Sequence, residues 1–198
     1  KEVPFFIHAA ETREEVSILL AREGKTPIRY LQSLDLLDSR TVAVHSIHVD
    51  FEEIDLLAAA ETAVVHCPES NMKLASGKAP VMEMLRRGVS VGLGTDGCAS
   101  NNDLDLFKEM DTAAKMEKVY YLDPTALSAH LVLQMATTGS ARVLGLDGET
   151  GFLALGKQAD LIGIDLNRPH LFPCYDPFST LVYSAQGSDV SWVMIGGR

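Results

Sequence analysis

Short apolar or β-branched runs alternate with longer stretches of helical period along the first two-thirds of the chain. Val3–Ile7, Thr41–Val44, Thr62–Val65 and Val89–Leu93 read as strands. Helices are predicted over Glu11–Arg22, with Thr12 as N-cap, and over Pro27–Leu36, Phe51–Ala60 and Ala79–Arg87. Two more follow, from Asp103 to about Lys118 and over Pro124–Thr137, the latter with Pro124 in its first turn. A short helical stretch covers Ser140–Leu144. Two polar loops interrupt the alternation, one rich in Pro, Ser, Asn and Gly after the third strand, the other in Gly, Asn and Ser after the fourth.

Strands alternating with helices imply β-α units and a parallel sheet, hence an α/β fold. A barrel and an open doubly wound sheet compete. No G-x-G-x-x-G follows the first strand, which counts against a dinucleotide fold. Polar residues follow each strand end: His8, His45, His66 and Asp96. A barrel converges such residues on one centre. Only four strands are visible, so the expectation is half of a TIM (β/α)8 barrel. From Gly148 onward the character changes to Gly punctuation and short β runs, with strands expected at Leu181–Ser184 and Ser191–Ile195. Residues 1–147 are therefore assigned to the barrel, and 148–198 to part of a small β-sandwich domain.

Composition narrows the function classes. The chain has 198 residues, 46% hydrophobic and 22% charged, ordinary for a globular protein. A net charge of −10 without any Lys/Arg run argues against nucleic acid or an anionic membrane as partner and favours a small substrate. The longest apolar runs fall well below the ~20 residues of a membrane span. The three cysteines have no C-x-x-C spacing, so neither a disulfide framework nor a cysteine-built zinc site is expected, and a reducing, cytoplasmic setting fits. Lys1-Glu2-Val3-Pro4 does not read as a signal peptide and carries no initiator Met, so a fragment or a processed boundary is expected.

Each candidate residue has two readings. His8 can give an imidazole nitrogen to a metal while Glu11 moves a proton from bound water to substrate; the bland alternative is a core His and a solvated Glu. His45 can polarise a reacting group or be a satisfied buried imidazole, and His48 lies nearer the rim. His66 is at least as easily structural as catalytic, Cys67 is a packing residue, and Ser70 and Asn71 can shape their loop through backbone groups. Asp96 can bind a cation and accept a proton, or cap a turn. Ser100 can reach a substrate, while Asn101, Asn102 or Asp103 can cap the next helix.

The segments His8-Ala-Ala-Glu-Thr, His66-Cys-Pro-Glu-Ser-Asn-Met-Lys-Leu-Ala-Ser-Gly and Gly94-Thr-Asp-Gly-Cys-Ala-Ser-Asn-Asn-Asp-Leu resemble the amidohydrolase superfamily. Within it they are most similar to the 5′-methylthioadenosine/S-adenosylhomocysteine deaminases. Gly151-Phe-Leu-Ala-Leu-Gly-Lys-Gln-Ala-Asp-Leu resembles the return into that family's small β domain. The resemblance implies the C-terminal half of the barrel, strands 5–8. It implies one divalent ion, zinc, held by His8 and Asp96, with further His ligands upstream of this chain. Glu11 matches the proton shuttle that also contacts the purine, His45 the residue that holds the attacking hydroxide, Asp96 both ligand and base, and Ser100 a substrate-binding position. Implied activity is hydrolytic loss of the purine amino group as ammonia from a nucleoside, with a homo-oligomer compatible. Triazine hydrolases and guanine or cytosine deaminases share much of this pattern. A metal-free homologue acting as an interaction subunit is the alternative of another class.

Overall fold

The first apolar run forms β1 (Phe5–Ala9), and Thr12 starts α1 (Arg13–Glu23) by accepting a hydrogen bond from the Glu15 amide. The computed structural model describes residues 3–198, and the expectation placed on Lys1 and Glu2 lies outside them. α1 ends at Gly24 in the left-handed region, where its N–H bonds back to the Leu20 carbonyl. α2 (Pro27–Ser33) opens on a proline, whose missing N–H has no helical partner to lose in a first turn. β2 (Thr41–His45) is buried throughout. Asp50 and Glu53 cap α3 (Phe51–Ala59) reciprocally, each side chain accepting from the other's amide. Then come β3 (Ala63–His66), α4 (Pro68–Lys73), α5 (Val81–Arg86), β4 (Val91–Leu93), α6 (Cys98–Asn101) and α7 (Leu106–Tyr121). α8 (Ala129–Gln134), a π-helical turn at Met135–Gly139 and α9 (Ser140–Val143) run on without a break.

Strands β1 to β4 form one four-stranded sheet in sequence order, every pair parallel. The order never reverses, so right-handed crossovers lay the connecting helices on a single face. That is the winding of a barrel; a doubly wound sheet reverses and covers both faces. Ile28 and Leu31 of α2, Ile54 and Leu57 of α3, Val81 and Met84 of α5, and Met110 and Ala113 of α7 form one buried cluster with Ala43, Val64 and Val91 of the strands.

Some elements depart from the predicted pattern. The loop expected after β3 contains α4, started by Pro68 at its first position. Pro124 lies outside α8, because Asp123 accepts from both the amide and the hydroxyl of Thr125 and locks a turn there; Ser128 caps α8 instead. The strand expected at Leu181–Ser184 is helical. Asp176 and Pro177 start α10 (Pro177–Tyr183), and Val182 is fully buried in the main cluster. β5 (Leu161–Ile164) and β6 (Val190–Met194) pair antiparallel in a two-stranded sheet. No helix is long and apolar enough to cross a membrane among the described residues.

The π-helical turn presses closely on β4. A Cβ at Gly139 would stand 2.7 Å from the Val91 carbonyl oxygen, a backbone atom that cannot rotate away. Gly139→Ala should therefore cost about 1–3 kcal/mol of unfolding free energy by urea titration. Gly148→Ala, with open space around it, should stay within about 0.5 kcal/mol of wild type.

Candidate active site

Parallel pairing brings the strand ends side by side, with Ala9 opposite His45 and His66 opposite Leu93. His8 is the penultimate residue of β1 and Glu11 follows that strand, His45 closes β2, and Asp96 lies in the loop after β4. Regular alternation would put the His45 side chain on the face of Ala43, against the helices. Left-handed φ angles at His45 (72°) and Ser46 (45°) break that alternation. Ala10 (54°) and Asp96 (59°) are left-handed too. Each such non-glycine residue costs about 1–2 kcal/mol, so the surrounding structure must hold it.

The four side chains converge. His8 and His45 meet edge to face at 4.8 Å between ring centroids. His8 Nε2 is 3.7 Å from Asp96 Oδ1, and His45 Nε2 is 3.7 Å from Glu11 Oε2. Both separations exceed a hydrogen bond. They are close to the ~3.4 Å between two donors on a tetrahedral zinc with bonds of about 2.0–2.1 Å. Ligand atoms of His8, Glu11 and His45 all lie within 4.8 Å of one another. His45 Nε2 is buried without a hydrogen-bond partner, an orphan that a ligand would satisfy. The His8 side chain stays 57% exposed, so the group opens to solvent. This donor set of nitrogen and carboxylate oxygen fits a borderline divalent cation such as zinc.

Neighbouring side chains fix these groups. His45 Nδ1 bonds the Asn71 side-chain oxygen at 2.8 Å, so the ring proton sits on Nδ1 and Nε2 is left to face the site. Ser70 and Ser100 donate to Asp96 Oδ2 at 2.7 and 2.5 Å. Burial alone would raise the Asp96 carboxyl, but these hydroxyls and the Gly97 amide outweigh it and hold it below the usual carboxylate range. The Glu15 carboxylate takes the amides of Ala10 and Glu11 at 2.8 and 2.7 Å, and Ser76 donates to Glu11 Oε1 at 3.3 Å. His48 bonds the Ser76 carbonyl and stays at the rim. Glu109 of α7 is fully buried and accepts from the Glu69 amide and from Asn101 Nδ2. Burial pushes its carboxyl up to about 7 against the opposing pull of those donors.

The structure thus brings His8, Glu11, His45 and Asp96 together and seats Ser100 on Asp96. His66 is fully buried and neither ring nitrogen has a partner; burial, then the charges of Lys78 and His45, push it down to about 3. Ser70 and Asn71 act on side chains rather than on the backbone groups expected of them. Asn101 does not cap α7; Asp105 does. Glu15 and Glu109 are absent from the residues that the sequence singles out, and Ser76 stands in the quoted segment 66–77 without a role of its own. Glu15 alone has a local signal, standing three residues after the N-cap.

The model of the amidohydrolase family matches residues 1–198. A 5-methylthioadenosine/S-adenosylhomocysteine deaminase of Syntrophobacter fumaroxidans is 53% identical over 99% of this chain and 45% of its own length. The crystal structure of an adenosine deaminase from Xanthomonas campestris with bound zinc superposes with a TM-score of 0.96 at 44% identity, over 98% of this chain and 44% of that one. An atrazine chlorohydrolase from Arthrobacter aurescens, complexed with zinc, gives 0.90 at 30% identity over 99% and 43%. The chain therefore spans less than half the length of the relatives it matches.

The Glu109 carboxyl gives a pH test of this packing. Its folded value lies above the ordinary 4.5, so its contribution to stability is complete below that pH and is lost as pH rises through about 7. Glu109→Gln removes this slope. Between about pH 5 and pH 8 the stability difference from wild type, measured by urea unfolding, should move in the variant's favour by about 1–3 kcal/mol. A pH-independent difference would show the carboxyl unperturbed.

Proposed function

The chain belongs to the amidohydrolase family, and from that premise we propose that it forms part of a zinc-dependent aminohydrolase that removes the purine amino group of a 5′-substituted adenosine, as 5′-methylthioadenosine or S-adenosylhomocysteine. The observation that carries the reading is the meeting of His8 from β1, Glu11 just after it, His45 from β2 and Asp96 from the loop after β4 at one edge of the parallel sheet. Residues 1–147 are read as the second half of a TIM barrel and 148–198 as part of its small β domain. Sequential winding supports this, as do Phe5 and Phe6 of edge strand β1, which are 47% and 44% exposed and so offer an apolar edge for further strands to cover.

His8 and Asp96 would hold the zinc, with the remaining ligands contributed from outside this chain. When bound, zinc supplies a water acidic enough to react at neutral pH and polarises the centre it attacks. Asp96 suits both ligation and proton acceptance, because its low pKa keeps it ionised and acceptor-only. His45, its proton held on Nδ1 by Asn71, turns a lone pair at Nε2 toward the site to accept from the attacking water. Glu11 stands 3.7 Å from that nitrogen and can carry a proton to the purine ring nitrogen. Water oxygen bonds to the amino-bearing carbon; one of its protons passes through Glu11 to the ring nitrogen and the other through Asp96 to the amino group, so the C–N bond breaks, ammonia leaves and the carbon keeps the oxygen. Ser100, already hydrogen-bonded to Asp96, is positioned to meet the substrate. The acidic balance and unpaired cysteines suit a small substrate in the cytoplasm.

In the full-length protein, Glu11→Gln and Asp96→Asn should each lower ammonia release from 5′-methylthioadenosine at least ~100-fold, and zinc chelation should abolish it. A wild-type protein that released chloride from a chlorotriazine and no ammonia from any adenosine derivative would overturn the reading.

A further inference from the structure

The buried carboxylate of Glu109 touches none of the four converging residues, yet both of its oxygens are engaged by the loops that carry their supports. Oε2 accepts from the Glu69 amide at 3.1 Å and Oε1 from Asn101 Nδ2 at 2.6 Å. Glu69 directly precedes Ser70, which donates to Asp96, and Asn71, which holds His45. Asn101 directly follows Ser100, the other donor to Asp96, and its second amide hydrogen bonds the carbonyl of Thr95, the residue before Asp96. Thr112, one turn along α7, bonds the Glu69 carboxylate, so the same helix grips that loop twice.

Burying a carboxylate costs several kcal/mol unless its lone pairs are well used. No ion pair compensates Glu109 among the described residues. Packing alone gives no reason for a charge here, since the adjacent Met110, Ala113 and Ala114 fill their part of the core without one. Above about pH 7, where Glu109 is ionised, both of its oxygens accept; a glutamine would turn an N–H toward one of two donors at every pH.

We infer that Glu109 is a positioning residue: it ties the loop after β3 to the loop after β4 and thereby sets Asp96 and His45 relative to each other. The inference rests on the reading of those two residues as parts of a zinc-dependent aminohydrolase site. It adds a residue that meets neither zinc nor substrate.

The test uses the full-length, zinc-loaded protein with Glu109→Gln, Glu109→Ala and Asn101→Ala, and the Glu109→Gln/Asn101→Ala double variant. Expected for Glu109→Gln is a folded protein whose kcat falls at least ~10-fold with KM within about threefold, and whose zinc affinity, by chelator competition, falls about 10-fold. Asn101→Ala should move both readouts the same way, and the double variant should be no worse than Glu109→Gln alone, as for two groups in one link. Wild-type kcat and zinc affinity in Glu109→Gln, or fully additive losses in the double variant, would overturn the proposal. Should Glu109→Ala fail to fold, the near-isosteric Gln and the peripheral Asn101→Ala still decide it. Should wild-type protein bind zinc but release no ammonia, the deaminase reading falls, and zinc affinity alone still tests Glu109.

Discussion

Parallel pairing of β1 to β4 in sequence order is the constraint from which the rest follows. Adjacent strands lie about 4.8 Å apart, so residues at neighbouring strand ends are within one side chain's reach. Parallel strands cannot be joined by tight turns; each connection must cross back over the sheet. Those crossovers become the helices whose apolar faces make the core, through Ile28, Ile54, Met84 and Met110. The connections at the C-terminal edge, which carry α4 and α6, are where His8, Glu11, His45 and Asp96 gather.

Convergence carries a local cost. His45, Ser46, Ala10 and Asp96 occupy left-handed backbone conformations that side chains disfavour. Backbone hydrogen bonds offset some of it: the Ser46 amide reaches the Ala9 carbonyl, and those of Ile47 and His48 reach Ala10. Side chains do the rest. Glu15 holds two amides beside Glu11, Asn71 orients the His45 ring, and two serines share one oxygen of Asp96. Polar side chains are thus concentrated next to the strain, where Glu15, Ser70, Asn71 and Ser100 each hold a neighbouring group.

The stations on the strand ends are legible in the sequence because strand periodicity and chain order are local properties. His8, His45 and Asp96 each follow an apolar run, and Glu11 follows His8 at a fixed short interval. Helix starts at Thr12 and Asp50 are equally local. Sequence pattern and structure part where tertiary contact or competing local hydrogen bonding decides. Leu181–Ser184 has the composition of a strand, but burial of Val182 and the Asp176–Pro177 start make it helical. Pro124 is a good first-turn residue, yet Asp123 and Thr125 take their own hydrogen bonds and delay the helix.

By itself the sequence determined the alternation of strands and helices and the family resemblance, and it marked His8, Glu11, His45 and Asp96 as candidates, since apolar runs and contiguous motifs are local features of the chain. Only the tertiary structure decided which atoms of those side chains face each other. Asn71 meets His45, Ser70 meets Asp96 and Glu109 joins two loops across separations of 26, 26 and 40 residues. Such pairs leave no periodic trace. They exist because the parallel sheet brings distant strand ends together, and a polar group buried there must find its partner in space, not in sequence.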